Sequence, residues 1–232
     1  KKKEDIDKHR AKFVKGAVEK GMEQSTADAI YMDWEEFARY GFNKSHAADY
    51  GVIAVQTAYL KAHYPAEYMA ALMSASAGQT EKIAIYVADA RSMGVPVLAP
   101  DINASLWDFA IEDVEDTANN KKVPSVRFGL GAIKNVSENA VEIIVEARNE
   151  GKFIDLNDFA RRVDLRAVGK RSLECLIKVG ALDQFGNRAS MLGSLDRIVA
   201  ISSNHFRAAD AGQMSLFGTT TGIIEEITLP EV

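Results

Sequence analysis

Five cations, Arg161, Arg162, Arg166, Lys170 and Arg171, fall within eleven residues of this sequence, around Gly169. Such a cluster can neutralise the phosphates of a nucleic-acid backbone without reading its bases. A second set, Asn43, Lys44, Ser45 and His46, stands at the start of a long apolar stretch that reads as a helix. Helix N–H donors, a hydroxyl and one or two positive charges there make a competent anion site. An N-cap by Asn43 or Ser45 beside an exposed lysine is the plainer reading, and chemistry alone prefers it. The four histidines, His9, His46, His63 and His205, are scattered, with no i, i+4 pair and no cysteine partner. That pattern argues against a metal site. There is no Gly-rich phosphate loop, and no pair of carboxylates stands where a strand would present both to a metal. No self-sufficient active site is expected.

The elements that must position these residues are mostly helices. "STAD" (25–28) has the form of a capping box, and Ala29, Ile30, Trp34, Phe37 and Ala38 follow at helical spacing up to Gly41. "KSHAADYGVIAVQTAYLKAHY" is apolar almost all round, which predicts a helix buried by neighbours on several sides. Pro65 opens another helix that ends before Gly78, and Thr80 can cap the next, closed by Gly94. "VPVLAPDIN" then reads as an extended connector. "LWDFAIEDV" and "VPSVRFGL" alternate in polarity around a charged turn, the pattern of a small β-hairpin. Helices return in "SENAVEIIVEARNEG", "LNDFARRV", "GKRSLECLIKVG" and "RASMLGSLDRIVAI", and the apolar period fades from about Ser202.

Two of these helical units, between 128 and 186, look like loose copies of one another. In the first, "GAIKNVSENAVEII", a short helix runs into Lys134-Asn135-Val136-Ser137 and a second helix leaves from Ser137. This resembles a helix-hairpin-helix, whose tight turn sets backbone N–H groups and a helix N-terminus against a DNA phosphate. The usual turn is Gly-hydrophobic-Gly. Asn135 tolerates left-handed backbone angles and Ser137 is a good N-cap, so the turn can form, although serine adds a side chain where the motif keeps bare backbone. The second unit keeps Gly169 and adds Lys170 and Arg171 at the following helix start, with Arg166 upstream. A four-helix packing unit with solvated charges is the alternative. The gathering of cations at a hairpin favours DNA contact.

The bulk properties set outer bounds. A chain of 232 residues can form one large or two small domains, and 47% hydrophobic with 26% charged residues is ordinary for a soluble globular protein. A net charge of −5 argues against a protein that coats nucleic acid along its whole surface, and leaves room for a local basic patch. The single cysteine, Cys175, lies in an apolar helical pattern and reads as a buried, inert thiol. No apolar run is long enough to span a bilayer. The reading is a cytoplasmic protein without membrane contact.

Near the C-terminus, "AGQMSLFG" (211–218) displays Met214, Leu216 and Phe217 in a segment with no core of its own. A glycine-flanked stretch of this kind can extend across a preformed groove. Gln213 then supplies hydrogen bonds while Leu216 and Phe217 fill an apolar pocket. Burying two such side chains is worth about 1.5–3 kcal/mol each before ordering costs. The remainder corresponds to roughly micromolar affinity.

Several longer stretches carry a family resemblance. "KKKEDIDKHRAKFVKGAVEKGM", "FARYGFNKSHAADYGVIAVQTAYLKAHYPAEYMAALMSA" and "PDIN" resemble the fingers of bacterial DNA polymerase III alpha subunits, the C-family replicative polymerases. "FGLGAIKNVSENAVEIIVEARNEG" and "KRSLECLIKVGALDQFGNRASML" are similar to the tandem helix-hairpin-helix module that follows in that family. "QMSLF" resembles the pentapeptide by which bacterial replication proteins dock on the sliding clamp.

The resemblance implies a mainly α architecture: a C-terminal fingers piece over 1–104, then a β-hairpin with a tandem helix-hairpin-helix module over 105–208. A flexible tail over 209–232 carries the clamp motif at 213–217. It implies duplex contacts through Lys134, Asn135, Ser137, Arg166, Gly169, Lys170 and Arg171, and clamp contacts through Gln213, Met214, Leu216 and Phe217. Asn43, Lys44, Ser45 and His46 would lie near the incoming nucleotide. The partners implied are the sliding clamp, double-stranded primer-template DNA and other replicase subunits. No catalytic residue or cofactor is expected in this chain, because the family's carboxylates and their divalent metal, magnesium, belong to a palm domain. A stand-alone helix-hairpin-helix DNA-binding or repair scaffold is the rival reading.

Overall fold

The structure is a computed structural model in which residues 3–40, 43–116, 121–210 and 226–230 are described. The chain divides into two compact units, Lys1–Tyr59 and Leu60–Val232.

The first unit holds α1 (Lys3–Glu19), α2 (Gln24–Tyr40) and most of α3 (Lys44–His63). α1 and α2 pack through Phe13, whose ring lies 4.9 Å from that of Trp34 and 5.7 Å from that of Tyr31. Arg10 and Asp28 close the same pair of helices at 2.9 Å. α2 begins ahead of the expected capping box, so Ser25 lies inside the helix. Ala27 is the only apolar residue of the unit that is buried among the described residues. α3 forms where the sequence predicts it, but none of its described residues is buried, and Val55 is 71% exposed. Its all-round apolar character therefore meets no core here.

In the second unit, α4 (Pro65–Ser74) starts on proline, whose missing N–H costs nothing in the first turn. α5 (Thr80–Ser92) takes Gln79 as its N-cap, with Thr80 already helical. Met69, Met73, Ile83 and Ala90 from these helices pack on Phe109 and Val126. Those last two belong to a three-stranded sheet and the approach to it. The expected hairpin is β2 (Ala110–Asp116) against β3 (Lys121–Arg127), antiparallel, with Ile111 facing Val126 and Val114 facing Val123. The connector adds β1 (Val97–Leu98), parallel to β3 on its other edge, which the sequence does not announce.

The loop after β1 fastens the sheet to the helices that follow. Asn103 bonds the backbone of Phe153 in both directions, each at 2.8 Å, and its amide also donates to Gln184. Arg148 donates to the carbonyls of Ile102 and Ser105, and burial pulls its guanidinium below the ordinary arginine value, with Asp101 opposing.

The remaining helices are α6 (Glu138–Arg148), α7 (Leu156–Arg162), α8 (Leu165–Val168), α9 (Lys170–Lys178), α10 (Arg188–Gly193) and α11 (Leu195–Asp210). They share one core in which Ile144, Phe159, Leu165, Leu173, Leu176 and Met191 are fully buried. α11 runs on past the fading apolar period because Ser202 is itself buried. Its hydroxyl donates to the Val163 carbonyl and accepts from the Leu165 N–H.

Residues 226–230 lie on the same core. Ile227 is buried there, its N–H donates to Asn157, and Ser190 donates to the Pro230 carbonyl.

Candidate nucleic-acid interface

The first hairpin is built from the glycines upward. The Gly131 Cα lies against the Trp107 ring, so closely that an added Cβ would stand 2.6 Å from it. A 3-10 turn at Leu130–Ala132 then leads into the hairpin. Asn135 has φ 66°, the one positive φ at a described non-glycine residue. That is the left-handed geometry for which asparagine is suited. Ser137 is the N-cap of α6, its hydroxyl accepting from the Ala140 N–H at 3.3 Å. The turn the sequence predicts from Asn135 and Ser137 is formed. The first N–H groups of α6 have no partner within the helix, as at any helix start, and Lys134 flanks them. Glu138 in the same turn offsets part of that positive charge.

The second hairpin turns on Gly169, φ 84°, which ends α8 and begins α9 with no side-chain cap. A residue with a Cβ is disfavoured at that angle. Asp164 caps α8 by accepting from the Arg166 N–H.

The two turns touch. Ser172, in the first turn of α9, donates its hydroxyl to the Asn135 carbonyl at 2.8 Å. One helical turn further on, Cys175 sits 3.5 Å from the Asn135 amide. Asn135 and the start of α9 are thus a single structural site, and Ser172 is the residue that sequence reasoning missed. Its signal was a polar residue on the buried face of an amphipathic helix. Cys175 is half-buried, less enclosed than its sequence suggests.

The cations divide by what they touch. Arg162 donates to Asp158 and to the carbonyls of Ala147 and Gly151, and its guanidinium lies 4.8 Å from the centre of the Phe153 ring. It ties α6 to α7. Arg166 forms a two-pronged bond with Asp164 and a further one with Asp210. Those bonds, Asp164 first, raise its proton affinity above the ordinary arginine value, and hold the Asp164 carboxyl below the ordinary carboxylate range. Lys170 pairs with Asp196. Arg171 is exposed and joins no ion pair among the described residues. Carboxylates already answer two of the cations expected to meet phosphate, and no pattern local to either hairpin foretells Asp196 or Asp210.

In the first unit, Asn43 caps α3, accepting from the Ser45 N–H at 2.9 Å. Lys44 and Ser45 are exposed, and the His46 ring packs edge-on against Tyr50 at 4.3 Å. The local geometry is that of a capped helix start. Gln213, Met214, Leu216 and Phe217 lie outside the described residues. Among the described residues, no group of histidine, cysteine or carboxylate side chains could hold a metal, and no helix is long and apolar enough to cross a membrane.

Comparison with known proteins agrees with this architecture. The helix-hairpin-helix motif family matches residues 94–191. DNA polymerase III subunit alpha of Thermus aquaticus is 44% identical over 94% of this chain, and that of Vibrio cholerae is 44% identical over 98%. The Bacillus subtilis protein of that description is 43% identical over 94%. The chain spans 17–19% of the length of these relatives.

Proposed function

As a segment of the DNA polymerase III alpha subunit family, the chain, we propose, holds duplex DNA and a sliding clamp for a replicative polymerase. The polymerising site, with its divalent metal, belongs to other parts of the whole protein. The observation that carries the DNA reading is the contact between Ser172 and Asn135, which fuses two hairpin turns into one backbone-binding element. The start of α9 at Gly169, Lys170 and Arg171 has no side-chain cap, so its N–H donors are open to a phosphate. At Lys134, Asn135 and Ser137 the start of α6 offers a second, although Ser137 already caps one of its N–H groups. Arg166 and Lys170 contribute by exchanging their carboxylate partners for phosphate.

Residues 1–104 are read as the rear of the fingers, with Asn43, Lys44, Ser45 and His46 facing the incoming nucleotide. Residues 105–208 are the duplex-binding module. Beyond them, Gln213, Met214, Leu216 and Phe217 dock on the clamp. That attachment is weak alone and effective once DNA also tethers the polymerase. Other replicase subunits complete the assembly, which works in the cytoplasm.

The chain alone adds no nucleotide to a primer, and incorporation of label above a blank contradicts this. For the tether, the chain is titrated with a bacterial sliding clamp beside Gln213→Ala and Leu216→Ala/Phe217→Ala. Binding of about micromolar strength that both changes abolish supports the reading. No clamp affinity with DNA binding intact leaves a stand-alone DNA-binding scaffold.

A further inference from the structure

Two clefts run along the α1–α2 helix pair, and their chemistry differs. One, of about 470 Å³, is lined by charges of both signs, including the paired Arg10 and Asp28. The other, of about 670 Å³, is lined by His9, Lys12 and Lys20 together with Phe13, Tyr31 and Trp34, and among the described residues by no carboxylate. Lys12 and Lys20 are exposed and make no ion pair among the described residues, while the nearby Lys15 reaches Glu19. Trp34 is 55% exposed, yet its ring is fixed by the Phe13 contact. The cleft therefore offers an exposed indole ring, packed on Phe13 and tilted 55° from Tyr31, bordered by positive charge.

Gly16 lies in the same wall. Glycine inside a helix costs roughly 0.5–1 kcal/mol relative to alanine. Packing does not require it, since a Cβ at Gly16 would meet nothing within 4 Å. An opening kept bare at that cost, between cations and aromatics, leaves room for a flat ligand.

We infer that this cleft binds single-stranded nucleic acid, with a base on the exposed Trp34 ring and phosphates on Lys12, Lys20 and His9. Stacking on aromatic rings within a basic groove is the chemistry that single strands use, and it tolerates any base. His9 to Lys20 spans about 16 Å of helix axis, longer than one nucleotide, which favours a strand over a mononucleotide. The inference rests on the nucleic-acid reading above, but uses none of the hairpin residues.

The test is binding of a labelled oligothymidylate of about twelve nucleotides to the chain, with labelled duplex measured in parallel and a mononucleotide as competitor. Gly16→Leu fills the cleft while raising helix propensity, so it keeps the fold and separates blockage from unfolding. Trp34→Ala removes the stack, and Lys12→Ala/Lys20→Ala removes the charge. Each is expected to weaken single-strand binding about tenfold or more and to leave duplex affinity unchanged. Oligothymidylate binding equal to wild type in Gly16→Leu and in the double lysine variant overturns the inference, as does full displacement by mononucleotide. Duplex binding without any single-strand binding also overturns it and leaves the hairpin reading standing. Binding of neither nucleic acid overturns both.

Discussion

The hydroxyl of Ser172, at the start of α9, holds the carbonyl of Asn135, in the turn before α6, at 2.8 Å. The bond joins residues 37 positions apart and lies in a part-buried setting, where an unmet carbonyl is costly. Through it, the left-handed residue of one hairpin is fixed by the helix of the other. Ser172→Ala is expected to lower stability by about 1 kcal/mol and to weaken duplex binding more than that loss alone would. The check is the denaturation midpoint beside duplex affinity at a temperature where both proteins are folded. Unchanged affinity would mean that the two turns bind independently.

The ion pairs at the basic face set a second expectation. Lys170 is held by Asp196, and Arg166 by Asp164 and Asp210. Phosphate must displace those carboxylates. Asp196→Asn and Asp210→Asn should therefore each raise duplex affinity about two- to fivefold at low salt, the range of an exposed ion pair. The gain should shrink as salt rises. Fluorescence anisotropy with a short labelled duplex measures it.

At the sheet, Arg127 clasps Glu112 through two bonds, at 2.7 and 2.9 Å, and donates to the Ala99 carbonyl. The hydrogen bond from Arg127 holds the Glu112 carboxyl below its ordinary value, with burial opposing. A carboxyl depressed in the folded state stabilises fully above its unfolded pKa, and the benefit is lost as pH falls through the folded value. Glu112→Gln should accordingly lower the thermal midpoint at neutral pH, and the difference from wild type should close in acid. A gap that persists at a pH well below the carboxylate range would assign the effect to packing.

How far the sequence foretold these features differs from place to place. The hairpin strands were legible because alternation and a charged turn are local patterns, and the Asn135–Ser137 turn because each residue type carries its own backbone preference. β1 was not, since two residues in a proline-rich connector become a strand only by pairing with β3. The exposure of α3 was missed for a related reason. An apolar surface in sequence states what a helix could bury, and says nothing of what covers it. At the second hairpin the cations are close in sequence, but what each of them touches is not legible there. Asp164 lies close to Arg166 in sequence, whereas Asp196 and Asp210 come from α11, which sequence distance keeps apart from the cations they meet. Ser202 shows the same limit, because its polar side chain ended the apolar pattern while its hydroxyl bridges two backbone groups inside the core.

The salt dependence of duplex binding tests the central claim most directly. Wild type is compared with Lys134→Ala/Arg171→Ala, which removes one exposed cation from each hairpin. Each phosphate contact contributes about 0.9 to the slope of log affinity against log salt. The double variant, still folded by circular dichroism, should bind more weakly with a slope shallower by about 1.8. Equal affinity and an equal slope would show that these hairpins do not hold the DNA backbone.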